Sequence, residues 1–146
     1  MWDFKFRRAG VPETCNINHL DHIGIAVTDI EKAVKMFTNV FGTPPCAIEQ
    51  IDDQGVKATL IEVGQTRIEL LEPLSPDSPV GKFIQNRGEG LHHLALNVSD
   101  IAQKLETLKL HDIRLIDQSP REGLSGTIAF IHPASVFGVL TELVEN

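Results

Sequence analysis

Two histidines occupy the same position in two copies of one phrase, and histidine is a common nitrogen ligand for divalent cations. Residues 20–30 read LDHIGIAVTDI and residues 91–101 read LHHLALNVSDI, which align without a gap and are identical at five positions. His22 matches His93 at an offset of 71 residues, about half of the chain. A lone histidine near a strand start is commonly a hydrogen-bonded polar residue. A matched pair in a duplicated segment favours two equivalent ligands that face one site.

In each half of the chain, the phrase is followed further along by a strand that carries a carboxylate among apolar residues. Glu69 lies in TRIELLE and Glu142 lies in GVLTELVE, at an offset of 73 residues that is close to that of the histidines. Burying an unpaired carboxylate is costly, so such a residue requires a cation or hydrogen-bond donors. Glu69 also fits an exposed strand face shared with Arg67. Glu142 has Leu140 and Val144 on its face, which indicates burial.

Two imidazoles and two carboxylates form a mixed nitrogen and oxygen ligand set of borderline hardness. Such a set suits Co²⁺, Mn²⁺, Zn²⁺, Fe²⁺ or Ni²⁺ and leaves coordination positions open for water or substrate. A cation in an open site acts as a Lewis acid that polarises a carbonyl and stabilises an enolate. A base beside it would remove the proton next to that carbonyl. The four residues therefore predict metal-assisted proton transfer.

Strand alternation gives each ligand histidine a face with small neighbours. His22 shares its face with Gly24 and Ala26, and His93 shares its face with Ala95 and Asn97. These small side chains leave room for a cation and a ligand. The aliphatic residues between them form the opposite face, which we expect to pack against helices.

The remaining histidines are predicted to have other roles. Alternation directs His92 away from His93, so we expect it to be structural or at the surface, as we do for His19 and His111. His132 closes a strand before Pro133 and is predicted to lie in a turn.

The chain predicts an α+β fold of two tandem βαβββ modules that form a curled mixed sheet around a metal-binding cup. In the first module, the spacing of Thr28 and Glu31 is that of a capping box and starts a helix that Gly42 ends. Its apolar stripe consists of Ile30, Ala33, Val34, Phe37 and Phe41. Strands are predicted at 22–27, 46–51, 56–63 and 66–71.

The second module repeats this order. Ser99 or Asp100 caps a helix that carries Ile101, Leu105 and Leu108, and strands are predicted at 93–98, 113–117, 127–132 and 138–144. A turn-rich linker with a short helix near 80–86 joins the modules.

The domain plan has two parts. Residues 1–18 form an N-terminal extension, and residues 19–146 form a single domain with modules at about 19–75 and 90–146. Trp2, Phe4 and Phe6 alternate with polar residues, which fits an added edge strand and a frayed tail about equally well.

The composition excludes several classes of function. A net charge of −7 argues against nonspecific nucleic-acid binding, although a local cluster of cations suffices for a small anionic ligand. The sequence contains neither an apolar run long enough to span a membrane nor a secretory signal. Cys15 and Cys46 lack CxxC spacing and are expected to be free thiols in a reducing compartment, which predicts a cytoplasmic protein.

These residues resemble the vicinal oxygen chelate superfamily, which contains glyoxalases and dioxygenases, and within it the methylmalonyl-CoA epimerases. The first histidine and the last glutamate are shared by the whole superfamily. The phrases IELLEPL at 68–74 and DSPVGKFI at 77–84 are typical of the epimerases, and further similarity lies in GLHH at 90–93 and FIHP at 130–133.

The resemblance implies metal ligands at His22, Glu69, His93 and Glu142, and some family members have glutamine where Glu69 stands. It implies reversible proton removal at C2 of methylmalonyl-CoA or a related 2-substituted malonyl thioester through a metal-stabilised enolate. We expect Glu142 and Glu62 to act in catalysis, and we expect a homodimer, since paired half-modules leave sheet edges exposed.

Two departures from the family affect this prediction. Some epimerases carry a glutamate base on the strand after Gln-Gly-Val, where this chain has Ala58. Glu62 lies four residues further along with the same strand parity and is our candidate substitute. The family's His-Pro-Lys is His-Pro-Ala here, ending at Ala134, which removes one cation near an anionic substrate.

Three alternatives remain open. A lactoylglutathione lyase uses a similar set of two histidines and two acids, although the epimerase-like segment at 77–84 disfavours it. An extradiol dioxygenase would need only His22, His93 and Glu142 on Fe²⁺. A non-catalytic module that sequesters a ligand in the same cup, without metal, is compatible with Ala58.

Overall fold

The α+β fold expected from the sequence is present in the computed structural model, which describes residues 17–44 and 46–146. The elements follow one another as β1 (Ile17–Ala26), α1 (Ile30–Phe41), β2 (Glu49–Ile51), β3 (Val56–Val63), β4 (Thr66–Pro73), α2 (Pro79–Arg87), β5 (Gly90–Val98), α3 (Ile101–Leu110), β6 (Arg121–Gly123), β7 (Gly126–Ile131) and β8 (Thr141–Glu145). Each module is therefore a βαβββ unit, and α2 lies in the linker between the two.

The eight strands found in the described residues form one mixed sheet in the order β2-β3-β4-β1-β5-β8-β7-β6. Each module pairs its first and last strands in parallel, β1 with β4 and β5 with β8. The modules join through β1 and β5, which run antiparallel at the centre of the sheet. The two strands that carry the matched histidines are therefore neighbours.

The helices α1 and α3 begin in the same way. Asp29 accepts a hydrogen bond from Lys32 N at 2.9 Å, and Asp100 accepts one from Gln103 N at 2.9 Å. A glutamate at the end of the module's last strand also accepts from the first helical N–H: Glu72 from Ile30 and Glu145 from Ile101. These acceptors satisfy amide groups that a helix leaves unpaired at its start.

The aliphatic face of the sheet packs against α1 and α3, as alternation predicts. Ile30 of α1 is fully buried against Ile61 and Leu70. In the second module, Ile101 and Leu105 of α3 pack with Val98, Ala129 and Leu143. The opposite face is thus left to form the cup.

Several details differ from the sequence-based predictions. Thr28 does not cap α1, because the Asp29 side chain accepts the capping bond. Phe41 is exposed, since it is the last residue of α1. The predicted strand at 113–117 is reduced to a single bridge between Leu115 and Ile131, and the short strand β6 was not predicted.

Two predictions concern residues near the N-terminus. They are the edge strand at Trp2, Phe4 and Phe6 and the free thiol of Cys15, and both lie outside the described residues. Over the residues that are described, no helix has the length and apolar character needed to cross a membrane.

Candidate active site

The four predicted ligands converge on one point in the cup. His22 Nε2 lies 3.1 Å from His93 Nε2, and both imidazoles face Glu69 Oε2, at 3.5 Å and 3.4 Å. Glu142 approaches from the other side, with Oε1 3.8 Å from His22 Nε2 and Oε2 3.5 Å from His93 Nε2. All four residues are at least nine-tenths buried. The alternative of an exposed Glu69 beside Arg67 is therefore wrong.

The register of the sheet produces this convergence. Gly24 of β1 pairs with Glu69 of β4 on one side and with His93 of β5 on the other. Ala95 of β5 likewise pairs with His22 and with Glu142 of β8. Each row across the sheet thus carries one carboxylate, one small residue and one histidine, in opposite order in the two modules.

The donor set fits a divalent cation. Metal–ligand bonds of about 2.1 Å place neighbouring ligand atoms about 3.0 to 3.4 Å apart, depending on geometry. The two imidazole nitrogens lie 3.1 Å apart, and the distances from them to the carboxylate oxygens are 3.4 to 3.8 Å, so these distances lie at or slightly above this range. Ligand atoms of His22, Glu69 and His93 all lie within 4.8 Å of one another. Two buried carboxylates and two imidazoles at such distances are the ligands expected for a transition-metal ion.

Hydrogen bonds orient the His22 ring. Asp21 Oδ2 lies 2.7 Å from His22 Nδ1, which leaves Nε2 to face the centre of the site. Asp21 is itself held by Arg67 and by Asn146, whose side-chain amide donates to Asp21 Oδ1 at 2.9 Å. Carboxylates commonly hold metal-ligating histidines in this way.

His92 lies beside His93, so the prediction that it points to the other face is wrong. The register shifts by one residue between Gly24, which pairs with His93, and Ile25, which pairs with Leu91. His92 is the extra residue of this β-bulge, and a bulge places two adjacent residues opposite one on the partner strand. His92 Nδ1 lies 2.9 Å from His93 Nδ1.

The same kind of bulge explains why the sequence interpretation missed Asp21. The register of β1 and β5 shifts between Leu20 and His22, and Asp21 is the unpaired residue. Both Asp21 and His92 are polar residues at positions where strand alternation calls for an aliphatic one. That polar substitution is the signal in the sequence that could have revealed them.

Burial and charge shift the pKa values of the site in different directions. Burial and repulsion by Glu69 raise the pKa of Glu142 to about 8. Burial would lower the pKa of His22, but hydrogen bonding and attraction to Glu69, with Glu142 and Asp21, raise it to about 9. Burial, with the neighbouring His92 and His22, holds the pKa of His93 well below its ordinary value. Protons and a cation therefore compete for this site.

A cavity of about 460 Å³ opens onto the ligands. Its walls include Glu69, His92, His93 and Glu142, and Ser78, Pro79 and Val80 at the start of α2 cover it from one side. A second cavity of about 730 Å³ adjoins it and shares His92, His93, Arg121 and Phe130. The cup therefore lies next to a larger cavity.

The predicted catalytic residue Glu62 lies apart from this cavity. Its side chain is exposed near the end of β3, and it lines a separate cavity with Cys46, Thr59 and Leu60. Ala58 is fully buried and packs with Val56, Leu71 and Val80. An apolar cluster therefore occupies the position at which some epimerases carry a glutamate.

The other histidines lie where the sequence placed them. His19 is exposed, and His111 is an exposed residue at the end of α3. His132 begins a 3-10 turn, where its Nδ1 accepts a hydrogen bond from Ala134 N at 3.1 Å.

Comparison with known proteins agrees with this architecture. Residues 21–130 match the model of the glyoxalase/bleomycin resistance protein/dioxygenase superfamily. The chain belongs to this superfamily. The membership expected from the repeated histidine phrase is thereby confirmed.

Two relatives are similar along most of their length. The uncharacterized protein YqjC of Bacillus subtilis is 42% identical over 130 residues, which are 88% of this chain and 93% of YqjC. The ethylmalonyl-CoA/methylmalonyl-CoA epimerase of Cereibacter sphaeroides is 35% identical over 87% of this chain and 97% of that enzyme.

One solved structure is similar in fold as well as in sequence. It is the methylmalonyl-CoA epimerase of Streptomyces coelicolor, carrying one substitution, in complex with 2-nitronate-propionyl-CoA. The two structures superpose with a TM-score of 0.85 at 33% identity, over 90% of this chain and 96% of that one. The predicted resemblance to the epimerases within the superfamily is therefore confirmed.

Proposed function

We propose that this protein is a metal-dependent epimerase of methylmalonyl-CoA or a related 2-substituted malonyl thioester. The observation that carries the proposal is the buried convergence of His22, Glu69, His93 and Glu142 beside a cavity of about 460 Å³, whose walls include three of them. Relatives about 35% identical that are named as epimerases support an isomerase of this kind.

The metal supplies one part of the chemistry. When bound by the two histidines and two glutamates, a divalent cation would act as a Lewis acid that polarises the thioester carbonyl and makes the C2 proton more acidic. The identity of the cation stays open among Co²⁺, Mn²⁺, Zn²⁺, Fe²⁺ and Ni²⁺, because a mixed nitrogen and oxygen set accepts all of them.

Glu142 is our candidate for the residue that moves the proton. Its carboxylate lines the cup, is 4% exposed, and lies beside His22 and His93. A carboxylate that ligates through one oxygen retains a second oxygen that can accept a proton from C2. Inversion then requires the proton to return to the opposite face of the planar carbon. Glu62 stays a prediction for that second role, and its exposed side chain lines a cavity apart from the cup.

The adjoining cavity suits the remainder of an acyl-CoA. Lys82 and Arg87 of α2 and Arg121 of β6 line it, together with apolar side chains such as Leu91 and Val139. These cations are clustered in a chain whose net charge is −7, so the local field opposes the overall one. Coenzyme A carries phosphates on a long arm, which fits a cationic and partly apolar space that opens beside the cup.

Deuterium exchange tests the proposal directly. Methylmalonyl-CoA incubated in D₂O with metal-loaded protein should acquire deuterium at C2, as measured by mass spectrometry. A His93→Ala variant incubated with the same cation should lose both bound metal and exchange. His111→Ala, at an exposed position outside the site, should retain both.

Two other outcomes would contradict the epimerase proposal and favour an alternative function. Turnover of methylglyoxal with glutathione and no C2 exchange would favour a lactoylglutathione lyase. A protein that binds acyl-CoA without metal and without exchange would be a sequestration module. The cytoplasmic location, the homodimer and the domain boundary near residue 18 stay predictions, which fractionation, sedimentation and limited proteolysis would test.

A further inference from the structure

His92 occupies a position that the proposed reaction does not use. Its ring is half-buried and lines both the cup and the larger cavity beside it. Phe83 of α2 packs edge-on against it, with ring centroids 4.9 Å apart. The β-bulge and this aromatic contact hold the imidazole at the junction between the two cavities.

One nitrogen of His92 is paired and the other is open. His92 Nδ1 lies 2.9 Å from His93 Nδ1. His92 Nε2 has no hydrogen-bond partner among the described residues and is not a buried atom. A polar atom at the edge of a ligand cavity with no protein partner is available to a bound molecule.

The role of His93 determines the tautomer of His92. His93 Nε2 faces Glu69, Glu142 and His22. If Nε2 ligates a cation, the hydrogen of the neutral His93 ring lies on Nδ1, and that N–H donates to His92 Nδ1. The hydrogen of the neutral His92 ring then lies on Nε2, where it points away from His93 as a donor.

The other copy of the repeat contains the same arrangement with a different residue. Asp21 is equivalent to His92, is also the extra residue of a β-bulge, and lies 2.7 Å from His22 Nδ1. Each ligand histidine is therefore held through Nδ1 by the residue that precedes it. Asp21 is buried and fully paired within the protein, whereas His92 retains a free nitrogen.

We propose that His92 is a positioning residue that orients His93 through Nδ1 and donates a hydrogen bond from Nε2 to an oxygen of the bound acyl thioester. The first half of this statement concerns the metal site alone. The second half rests on the proposed function, since it requires an acyl ligand in the cup.

Two substitutions separate the positioning role of His92 from its role as a donor to the ligand. In His92→Asn the amide oxygen lies near the position of Nδ1 and retains the acceptor for His93, but the donor toward the cavity is lost. In His92→Gln the amide lies near the position of Nε2 and retains that donor, but the acceptor is lost. His111→Asn is the matched control, because His111 is exposed at the end of α3. Circular dichroism checks that each variant is folded.

Metal affinity reports the positioning role without substrate. His92→Gln should bind Co²⁺ about tenfold more weakly than the wild type, the lower end of the usual loss when a partner of a ligand histidine is removed. His92→Asn and His111→Asn should stay close to the wild type. Equal affinity in all variants would overturn the positioning role, even if the wild type catalyses C2 exchange.

Two further measurements complete the test. In the zinc-loaded wild type, nitrogen-15 NMR should show His93 protonated at Nδ1 and His92 protonated at Nε2; the opposite tautomers would overturn the proposal. In the epimerase reaction, His92→Asn should lower kcat/KM, through a higher KM or a lower kcat, while its metal affinity stays intact. Unchanged kinetics would contradict the donor role. Absence of exchange in the wild type would instead contradict the proposed function and leave the metal and NMR results to stand on their own.

Discussion

Gly24 and His93 occupy one shared space: the His93 imidazole lies where a side chain on Gly24 would be. The two residues are direct partners in the pairing of β1 with β5, and a Cβ built on Gly24 would overlap the His93 ring. Gly24 also pairs with Glu69 on its other side. The missing side chain lets the imidazole reach the carboxylate across the intervening strand.

We predict that Gly24→Ala abolishes stoichiometric metal binding while the protein remains folded. The methyl group would displace the His93 ring from Nε2 contact with Glu69 and His22, and a ligand displaced by about an ångström no longer completes the site. Metal content by mass spectrometry and secondary structure by circular dichroism would check this.

Ala95→Gly is the matched control, because Ala95 holds the equivalent place between His22 and Glu142. Removing that methyl should cost roughly 1 kcal/mol of stability, as glycine does within regular structure, and leave metal binding intact. Full metal occupancy in Gly24→Ala would show that the His93 ring can move without loss of the site.

The duplicated phrase and the matched strands that follow it were sufficient to predict that His22, Glu69, His93 and Glu142 share one face of the sheet and converge there. Each module has the same strand order, so equivalent positions in β1 and β5 lie on equivalent faces, and the register brings Glu69 and Glu142 to the same place from opposite sides. The capping residues Asp29 and Asp100 begin their helices at matched positions for the same reason.

The bulges could not be derived from alternation. A single extra residue reverses the direction of a side chain, so the bulges direct Asp21 and His92 toward the two histidines of the site and not toward the helix-packed face that alternation gives. The strand predicted at 113–117 failed for a related reason. The residue types of this segment favour a strand, but only Leu115 pairs, with Ile131. Which segments pair depends on the tertiary structure and not on local sequence.

The two glutamates of the site should respond differently to the same substitution. Glu69→Gln retains an amide oxygen as a ligand, and we expect it to keep bound metal and C2 exchange within about tenfold of the wild type. Glu142→Gln should keep some bound metal but lower exchange by about 10²- to 10⁴-fold, because the amide cannot accept a proton and general-base catalysis contributes that much. Exchange at the wild-type rate in Glu142→Gln would exclude Glu142 as the base.

Metal affinity should rise with pH. The pKa of His22 is raised to about 9 and that of Glu142 to about 8, so we expect the metal-free protein to hold both protons at pH 7. A cation needs the unprotonated atoms, so binding at pH 7 should release about two protons, and raising the pH should remove that competition. Calorimetry in two non-chelating buffers of different ionisation enthalpy counts the protons released.

The pH dependence has its own control. Substitution of His19, which is exposed and lies outside the cup, should leave the proton count unchanged. An affinity that stays constant between pH 7 and 8.5 would mean that neither His22 nor Glu142 holds a proton that the cation must displace.

The cations of the larger cavity should affect substrate binding more than catalysis. Lys82 and Arg87 of α2 line that cavity, and neither of them lines the cup. An exposed charge pair contributes about 0.2–1 kcal/mol, so the double variant Lys82→Ala/Arg87→Ala should raise KM for the acyl-CoA by about 2- to 30-fold with kcat nearly unchanged. The difference should shrink at high salt, because exposed charges are screened. Lys109→Ala removes a cation from α3 that pairs with Glu106 and should leave KM unaltered. A fall in kcat with constant KM in the double variant would instead mean that these side chains act on the reacting end of the ligand and not on its phosphate-bearing arm.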